Sequence, residues 1–383
     1  MIYVYDSNLN KIGIVDRYNS LITSKRYREN GDCEIYMPAS ADALDLLRVG
    51  RYVSKTDDVV LYRINSIELA TDAESGNFLT VKGIDAKSFI DQRIVLETTL
   101  GNGNAEAFAL KLINDALGAT ASTARRLPFF STAVTGLTET ISEQVSYKNV
   151  GEKIREYCTR FGWGYRVEIN GNTIQFSFYK GADRSAFVVF SPAYENISTS
   201  NYAEDKTNMG NFALIGGEGQ GSDRIKETVG TATGADRYEI FVDAKDQSKS
   251  VTYKDVTSAY PGGVIITESG VNYYAVDGVK IAELESASPQ PNDKCQLVDD
   301  IYRSQLDAKG NDALSQFGAT KSFESTIFAA GTWTYGEDYF LGDIVKVENE
   351  YGISVNARII EVVEVEDENG YSTEPKFEYL SEE

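Results

Sequence analysis

Through its first ninety-odd residues the chain keeps returning to a two-residue period. Val59, Leu61 and Arg63 alternate with their neighbours, and Ile64, Ser66 and Glu68 continue the pattern. A period of two belongs to a pleated strand; a helix would repeat every 3.6 residues. The stretches "IYVYD", "KIGIVD", "GDCEIYMPA", "VGRYVSKTDDVVLYRINSIELATD" and "NFLTVKGID" read as strands. The Asn8–Asn10 segment and "DAESGN" at Asp72–Asn77 read as turns by composition. "ASADALDLLRVG" reads as one small helix between them. Short strands broken by turns predict a small barrel or sandwich.

The texture changes near Leu100. In "GNGNAEAFALKLINDALG", Phe108, Ala109, Leu112, Ile113, Ala116 and Leu117 recur at three-four spacing, with Asn104 placed to cap the start and Gly118 the end. A second helix is expected in "KNVGEKIREYCTRFG", where Val150, Ile154, Tyr157, Cys158 and Phe161 share a face and Gly162 stops it. "GYRVEINGNTIQFSFYKG" reads as a hairpin turning at Asn170–Asn172. Two helices on a small sheet make an α+β unit.

Farther on, "NFALIGGEGQGSDR" reads as a strand entering a glycine loop, and "RIKETVGTATGADRYEIFVDAKD" as a hairpin. After the polar linker "SASPQPND", a helical stretch is expected from Lys294 to about Phe317, with Leu297, Val298, Ile301, Tyr302 and Leu306 on one face and Gly310 weakening its middle. Strands resume at "FESTIFAAGTWTYGEDYFLGDIVKV" and run to the end. The fold class is therefore α+β, β-rich and multidomain.

Composition removes several functions. The chain has 383 residues, 42% of them hydrophobic, enough for a packed core and for several domains. It has no histidine, which excludes a Ser-His-Asp triad, a Cys-His pair and every His-based metal site. A formal net charge of −21 would repel phosphates, so a general basic patch for nucleic acid is not expected. Cys33, Cys158 and Cys295 stand far apart with no CxxC, and read as buried, reduced thiols. No run of 18 apolar residues occurs, so no membrane span is expected, and Asp6 comes too early for a signal peptide's apolar core.

Several stretches imitate chemical sites. "GGEGQG" at Gly216–Gly221 lacks the Lys and Ser or Thr of a phosphate loop; Ser222-Asp223 follows instead. It reads as a tight inter-strand loop. Asp57-Asp58 and Asp299-Asp300 cannot flank one bond, because strand neighbours point to opposite faces and helix neighbours diverge by about 100°. "DENG" at Asp367–Gly370 and "DAESGN" lack the alternating oxygens and closing Glu of a calcium loop. Trp163, Trp333, Tyr335 and Tyr339 could form a sugar platform, although strand aromatics more often sit in cores or contacts. Neither a catalytic, a cofactor-binding nor a metal residue is expected.

The end of the chain is distinct in charge. Residues 321–383 carry 15 acidic and 4 basic residues, a net −11, about half of the total in the last sixth. "DYFLGDIVKVENEYGISVNARIIEVVEVEDENG", Asp338–Gly370, reads as strand, turn and strand with a run of acids on the second strand.

Three ordered stretches carry a resemblance. They are "GNFLTVKGIDAKSFIDQRIV" (Gly76–Val95), "FYKGADRSAFVVFSPAYENISTSNYAEDKTNMGNFALIGGEGQGSDR" (Phe178–Arg224) and the closing "YGEDYFLGDIVKVENEYGISVNARIIEVVEVEDENGYSTEPKF". Together they resemble the hub, or tail-tip, proteins of long-tailed bacteriophage baseplates. The resemblance implies two tail-tube-like β-barrel domains bracketing two small α+β domains, with three chains making a pseudo-six-fold ring. It implies a first barrel at 1–96 with a return segment near 191–222, α+β domains at 97–190 and 223–318, and a terminal barrel at 319–383. The implied role is a structural hub closing the tail tube, with an acidic lumen that DNA passes without binding. Implied partners are further copies of the chain, the distal tail protein and tail tube, the tape-measure protein, and receptor-binding or fibre proteins, after assembly in the host cytoplasm. Family members often continue into a hydrolase or fibre extension; this sequence stops at Glu383, so those activities are expected on other proteins. A sugar-binding tip module and a carboxylate-based cell-wall hydrolase are the alternatives. The residues expected to matter structurally or at interfaces are Gly83 and Asp85 in the first barrel, and Trp333, Gly342 and Asp343 in the terminal one.

Overall fold

A computed structural model describes residues 1–72, 76–318, 320–327 and 332–380. The first region holds strands β1 (Ile2–Tyr5), β2 (Lys11–Val15), β3 (Ser20–Arg26), β4 (Asp32–Pro38), β5 (Tyr52–Lys55), β6 (Tyr62–Asp72) and β7 (Gly76–Asp85). Helix α1 (Ala41–Leu46) follows β4, its start capped by the Ser40 hydroxyl, which accepts from the Ala43 N–H. The expected turn at Asp72–Asn77 falls largely on 73–75, outside the described residues.

The first α+β unit runs through β8 (Thr99–Asn104), α2 (Ala105–Leu117), β9 (Phe130–Ala133), β10 (Thr140–Val145), α3 (Val150–Phe161), β11 (Gly164–Asn170) and β12 (Thr173–Tyr179). The expected face of α2 is buried from Phe108 to Leu117, and the Asn104 side chain accepts from the Ala107 N–H. Gly162 ends α3 in the left-handed region, at φ 69°. Then come β13 (Val189–Phe190) and β14 (Ile197–Asp205). The second α+β unit has β15 (Phe212–Gly216), β16 (Lys226–Val229), β17 (Glu239–Asp243), β18 (Ser250–Thr252), α4 (Tyr253–Ala259), β19 (Val264–Glu268), β20 (Val271–Val276), β21 (Val279–Leu284), β22 (Lys294–Leu297) and α5 (Asp299–Gln316). The last strands are β23 (Thr320–Ile327), β24 (Ile344–Glu348), β25 (Ser354–Asp367) and β26 (Gly370–Tyr379). The strand expected through 328–331 lies outside the described residues.

Two local expectations are corrected. Lys294–Leu297 is a strand, not the first turn of a helix: Cys295 and Leu297 are buried and alternate with exposed Lys294 and Gln296. The helix begins at Asp299, so Leu297 and Val298 are not on its face. β16 and β17 do not form a hairpin; β15 lies between them, antiparallel to β16 and parallel to β17. Gly310 has a packing reason: a Cβ there would stand 2.5 Å from Ile215 Cδ1 and 2.6 Å from Val229 Cγ2. It lets α5 lie close on that three-stranded sheet.

The main sheet has 11 strands, ordered β13-β24-β25-β3-β4-β7-β6-β5-β1-β2, with β26 also on β25. The last strands of the chain are thus built into the first region. β25 lies antiparallel to β3, Glu361 opposite Arg26 through Glu366 opposite Leu21. Its irregularity between Ile359 and Glu361 marks the change of partner from β24 to β3. Among the described residues β13 and β2 do not meet, so the sheet is open and no barrel closes within one chain. Hydrophobic packing is divided among four clusters: one under β1, β4 and β7, one around α2 and α3, one around α4 and α5, and one under β24 and β25.

Candidate functional site

Tyr27, just past β3, is fully buried where the beginning, middle and end of the chain meet. Its hydroxyl donates to the Gly162 carbonyl at 2.9 Å and lies 3.3 Å from the Tyr179 carbonyl. Its ring meets Tyr179 edge-on with centroids 5.2 Å apart, and the Arg358 guanidinium sits 5.2 Å from the ring centre. Glycines make the space. A Cβ on Gly164 or Gly342 would overlap the Tyr27 ring, and Gly342 has φ +94°. Arg358 closes the arrangement by donating to the Gly342 carbonyl at 2.7 Å.

Two buried acids expected from the sequence flank this point. Asp343 is 3% exposed. Its carboxylate accepts from the Ala182 N–H at 2.7 Å, the Phe340 N–H at 3.0 Å and Arg184 Nε at 2.6 Å. Asp85 accepts from the Gly31 N–H at 2.7 Å and the Lys87 N–H at 3.0 Å, with the Lys87 ammonium 3.5 Å away. Burial pushes the Asp85 carboxyl up and the Lys87 ammonium down, against their mutual attraction. Both acids line one cleft of about 470 Å³, with Lys25, Asp58, Tyr179, Tyr335 and Phe340. Residues from opposite ends of the chain are therefore brought together. The carboxylates of Asp85 and Asp343 are taken by main-chain N–H groups and by cations, and so tie the segments that meet at the cleft.

The other expected residues lie elsewhere. A Cβ on Gly83 would stand 2.9 Å from Cys33 Sγ and 3.1 Å from the Arg63 carbonyl, so Gly83 is a packing glycine inside the sheet. Trp333 donates from Nε1 to the Val189 carbonyl at 2.9 Å and packs on the cluster under β24 and β25. The four-aromatic sugar platform is not formed: Trp163 and Tyr339 are buried in different clusters. Tyr27, Arg184 and Arg358 were missed as site residues. Arg184 had a signal, in "GADRS"; Tyr27 and Arg358 had none, because their partners are far away in sequence.

The acid run on β25 has a structural use. Glu361 pairs with Arg26 at 2.9 Å and Lys376 at 2.8 Å. Glu364 pairs with Lys25 at 3.0 Å and accepts from the Thr23 and Tyr371 hydroxyls. Glu366 pairs with Lys55 at 3.1 Å and accepts from Tyr18 at 2.7 Å. Burial opposes the charge on Lys25, yet Asp58 at 2.5 Å and Glu364 hold its ammonium above the usual range. These acids stitch β25 to cations on the first region. Asp58 and Asp299 are likewise held by lysines, Lys25 and Lys249. Among the described residues no group of three or more His, Cys, Asp or Glu is placed to hold a metal ion. No helix among them is long and apolar enough to cross a membrane.

Solved structures place this fold. The chain is similar to the tail protein from Neisseria meningitidis MC58, with 13% identity, a TM-score of 0.52, and 98% of this chain and 95% of that one covered. It is similar to the 43 kDa tail protein of prophage MuSo2 from Shewanella oneidensis (10% identity, TM-score 0.53, 98% and 97% covered). It is also similar to prophage tail protein gp18 from Listeria monocytogenes EGD-e (11% identity, TM-score 0.51, 98% and 94% covered). No curated protein matches the sequence. The fold is that of phage tail proteins. The match of residues 1–377 to a family model is the more specific result: the chain belongs to the Siphovirus ReqiPepy6 Gp37-like protein family.

Proposed function

We propose that the chain is the hub of a phage or phage-like tail, closing the distal end of the tail tube as a homotrimeric ring. One observation carries this reading: the terminal strands are built into the first region's sheet, and that sheet remains open. An open, twisted sheet with free edges needs neighbours, and identical copies around an axis supply them. Within a protomer, 1–96 with 191–222 and 319–383 would be the two tube-like parts, and 97–190 and 223–318 the outer bodies. The distal tail protein, tail tube, tape-measure protein and receptor-binding or fibre proteins would be its neighbours after assembly in the host cytoplasm. The role needs no catalytic step. An acidic lumen wall would rest on exposed acids such as Glu350, Glu368 and Glu374, since Glu361, Glu364 and Glu366 are paired with cations.

The test is solution mass by light scattering across a concentration series. The expected mass is three times 42.2 kDa. A mass of 42.2 kDa at every concentration, unchanged when tail-tube protein is added, would end the ring reading.

A further inference from the structure

Arg26, Arg155, Arg160, Arg184 and Arg303 each hold a carboxylate. In a chain with 58 acidic and 37 basic residues, that is the expected state of a guanidinium. Arg93 and Arg125 depart from it. Among the described residues neither has an ion pair, and both bond to carbonyls instead. Arg125 donates to the Ile94 carbonyl at 2.7 Å, and Arg93 to the Gln92 and Arg125 carbonyls at 3.2 Å and 3.3 Å. Arg93 Nε is buried without a hydrogen-bond partner. Two like charges thus stand side by side. Burial first, and then Arg93, pushes the Arg125 guanidinium below its usual range.

Arg125 opens onto a cleft of about 410 Å³ where the two α+β units meet. Its walls are the 94–100 segment, α2, the loop after α2, and α4. α4 brings Lys254 and Ser258, one turn apart on the same side of the helix. Three acids also line the cleft, and two of them are already engaged. Asp115 is held by Lys111 and by the Thr120 hydroxyl, both at 2.5 Å. Asp255 is held by the main chain and hydroxyl of Thr252. Glu97 is left, exposed, against Arg93, Arg125 and Lys254. The balance of unpaired charge at the cleft is therefore positive.

A planar guanidinium grips a tetrahedral oxyanion through two N–H groups, and a lysine adds a point charge. The volume suits a small molecule. Exposed Ser122 and Ser258 hydroxyls can both donate and accept, which matches the hydroxyl groups of a sugar or polyol. The lining includes no aromatic ring on which a nucleobase could stack.

We infer that this cleft binds a phosphate group carried on a sugar or polyol, with Arg125 and Lys254 on the phosphate and the Ser122 and Ser258 hydroxyls on the carbon scaffold. The site lies within one chain and does not depend on the ring reading above.

Isothermal titration calorimetry on the full chain tests it with glucose 1-phosphate, inorganic phosphate, glucose and tetraglutamate. Glucose 1-phosphate should bind, more tightly than inorganic phosphate, while glucose and tetraglutamate should not. Arg125→Gln and Lys254→Gln should each weaken it roughly tenfold, the loss of one charge-assisted contact. Arg126→Gln removes the same charge from the same loop but does not line the cleft, and should bind as wild type does. Circular dichroism melts check folding; if Arg125→Gln melts early, the exposed Lys254→Gln decides. Unchanged binding in Lys254→Gln, or an equal loss in Arg126→Gln, overturns the site. So does a failure of glucose 1-phosphate to bind more tightly than both inorganic phosphate and tetraglutamate.

Discussion

At the scale of the residue, the joint depends on a few buried polar groups that each hold several partners. Asp343 alone joins Ala182, Arg184 and Phe340. Removing its carboxylate leaves two main-chain donors and a guanidinium without this acceptor. Each unmet buried donor costs about 1–3 kcal/mol, so Asp343→Ala should lose about 3 kcal/mol in urea unfolding with an unchanged m value. Asp343→Asn keeps an acceptor and should lose about half of that. A loss under about 0.5 kcal/mol for the alanine variant would mean that the donors find other partners. Asp343 and Asp85 were singled out from the sequence, but their common cleft was not, because a linear chain carries no sign of which distant residues will face each other.

At the scale of the element, α3 and α5 meet through charge. Lys153 on α3 pairs with Glu143 at 2.8 Å and Glu156 at 2.9 Å. Arg160 on α3 pairs with Asp312 on α5 at 2.6 Å, and Lys309 approaches Glu143 and Asp246. Burial pushes the Asp312 carboxyl up to about 6 from an ordinary value of 3.8, despite Arg160. Burial also opposes the charges of Glu143 and Glu156, but Lys153 holds both carboxyls below their usual range. The signs separate. A carboxyl raised in the folded state takes up its proton on folding, so its contribution grows as pH falls from 7 toward 5. The lowered glutamates lose their contribution only below about 4.5. From this group, the wild type should gain about 1 kcal/mol between pH 7 and 5, and Asp312→Asn should lack that increment. Urea titrations at the two pH values measure it; equal slopes in both proteins would assign the dependence elsewhere. Element identity was mostly legible where period and caps agreed, as in α2 with Asn104 and α3 with Gly162. It failed at Lys294–Leu297, where a strand runs into a helix with apolar residues on both sides of the boundary.

At the scale of the whole molecule, the first and last segments share one sheet, and this should govern how the chain opens. Residues of β3 and β25 lie side by side, Ser24 opposite Val363, although almost the full chain separates them. Their amide protons should exchange together in a single cooperative event, more slowly than those of the small β15–β17 sheet. Early exchange along β25 with β3 still protected would show that the terminal hairpin is only loosely attached. By itself the sequence determined the class of most elements, the absence of histidine chemistry and the concentration of acid in the last sixth. Each is a local or additive property: period, cap and charge are readable without knowing what lies opposite. Only the tertiary structure decided that the acids of β25 face Lys25, Arg26 and Lys55, that Gly342 makes room for Tyr27, and that the two β-rich ends form one open sheet. Pairing between distant strands is set by packing and register in three dimensions, and neither has a period along the chain.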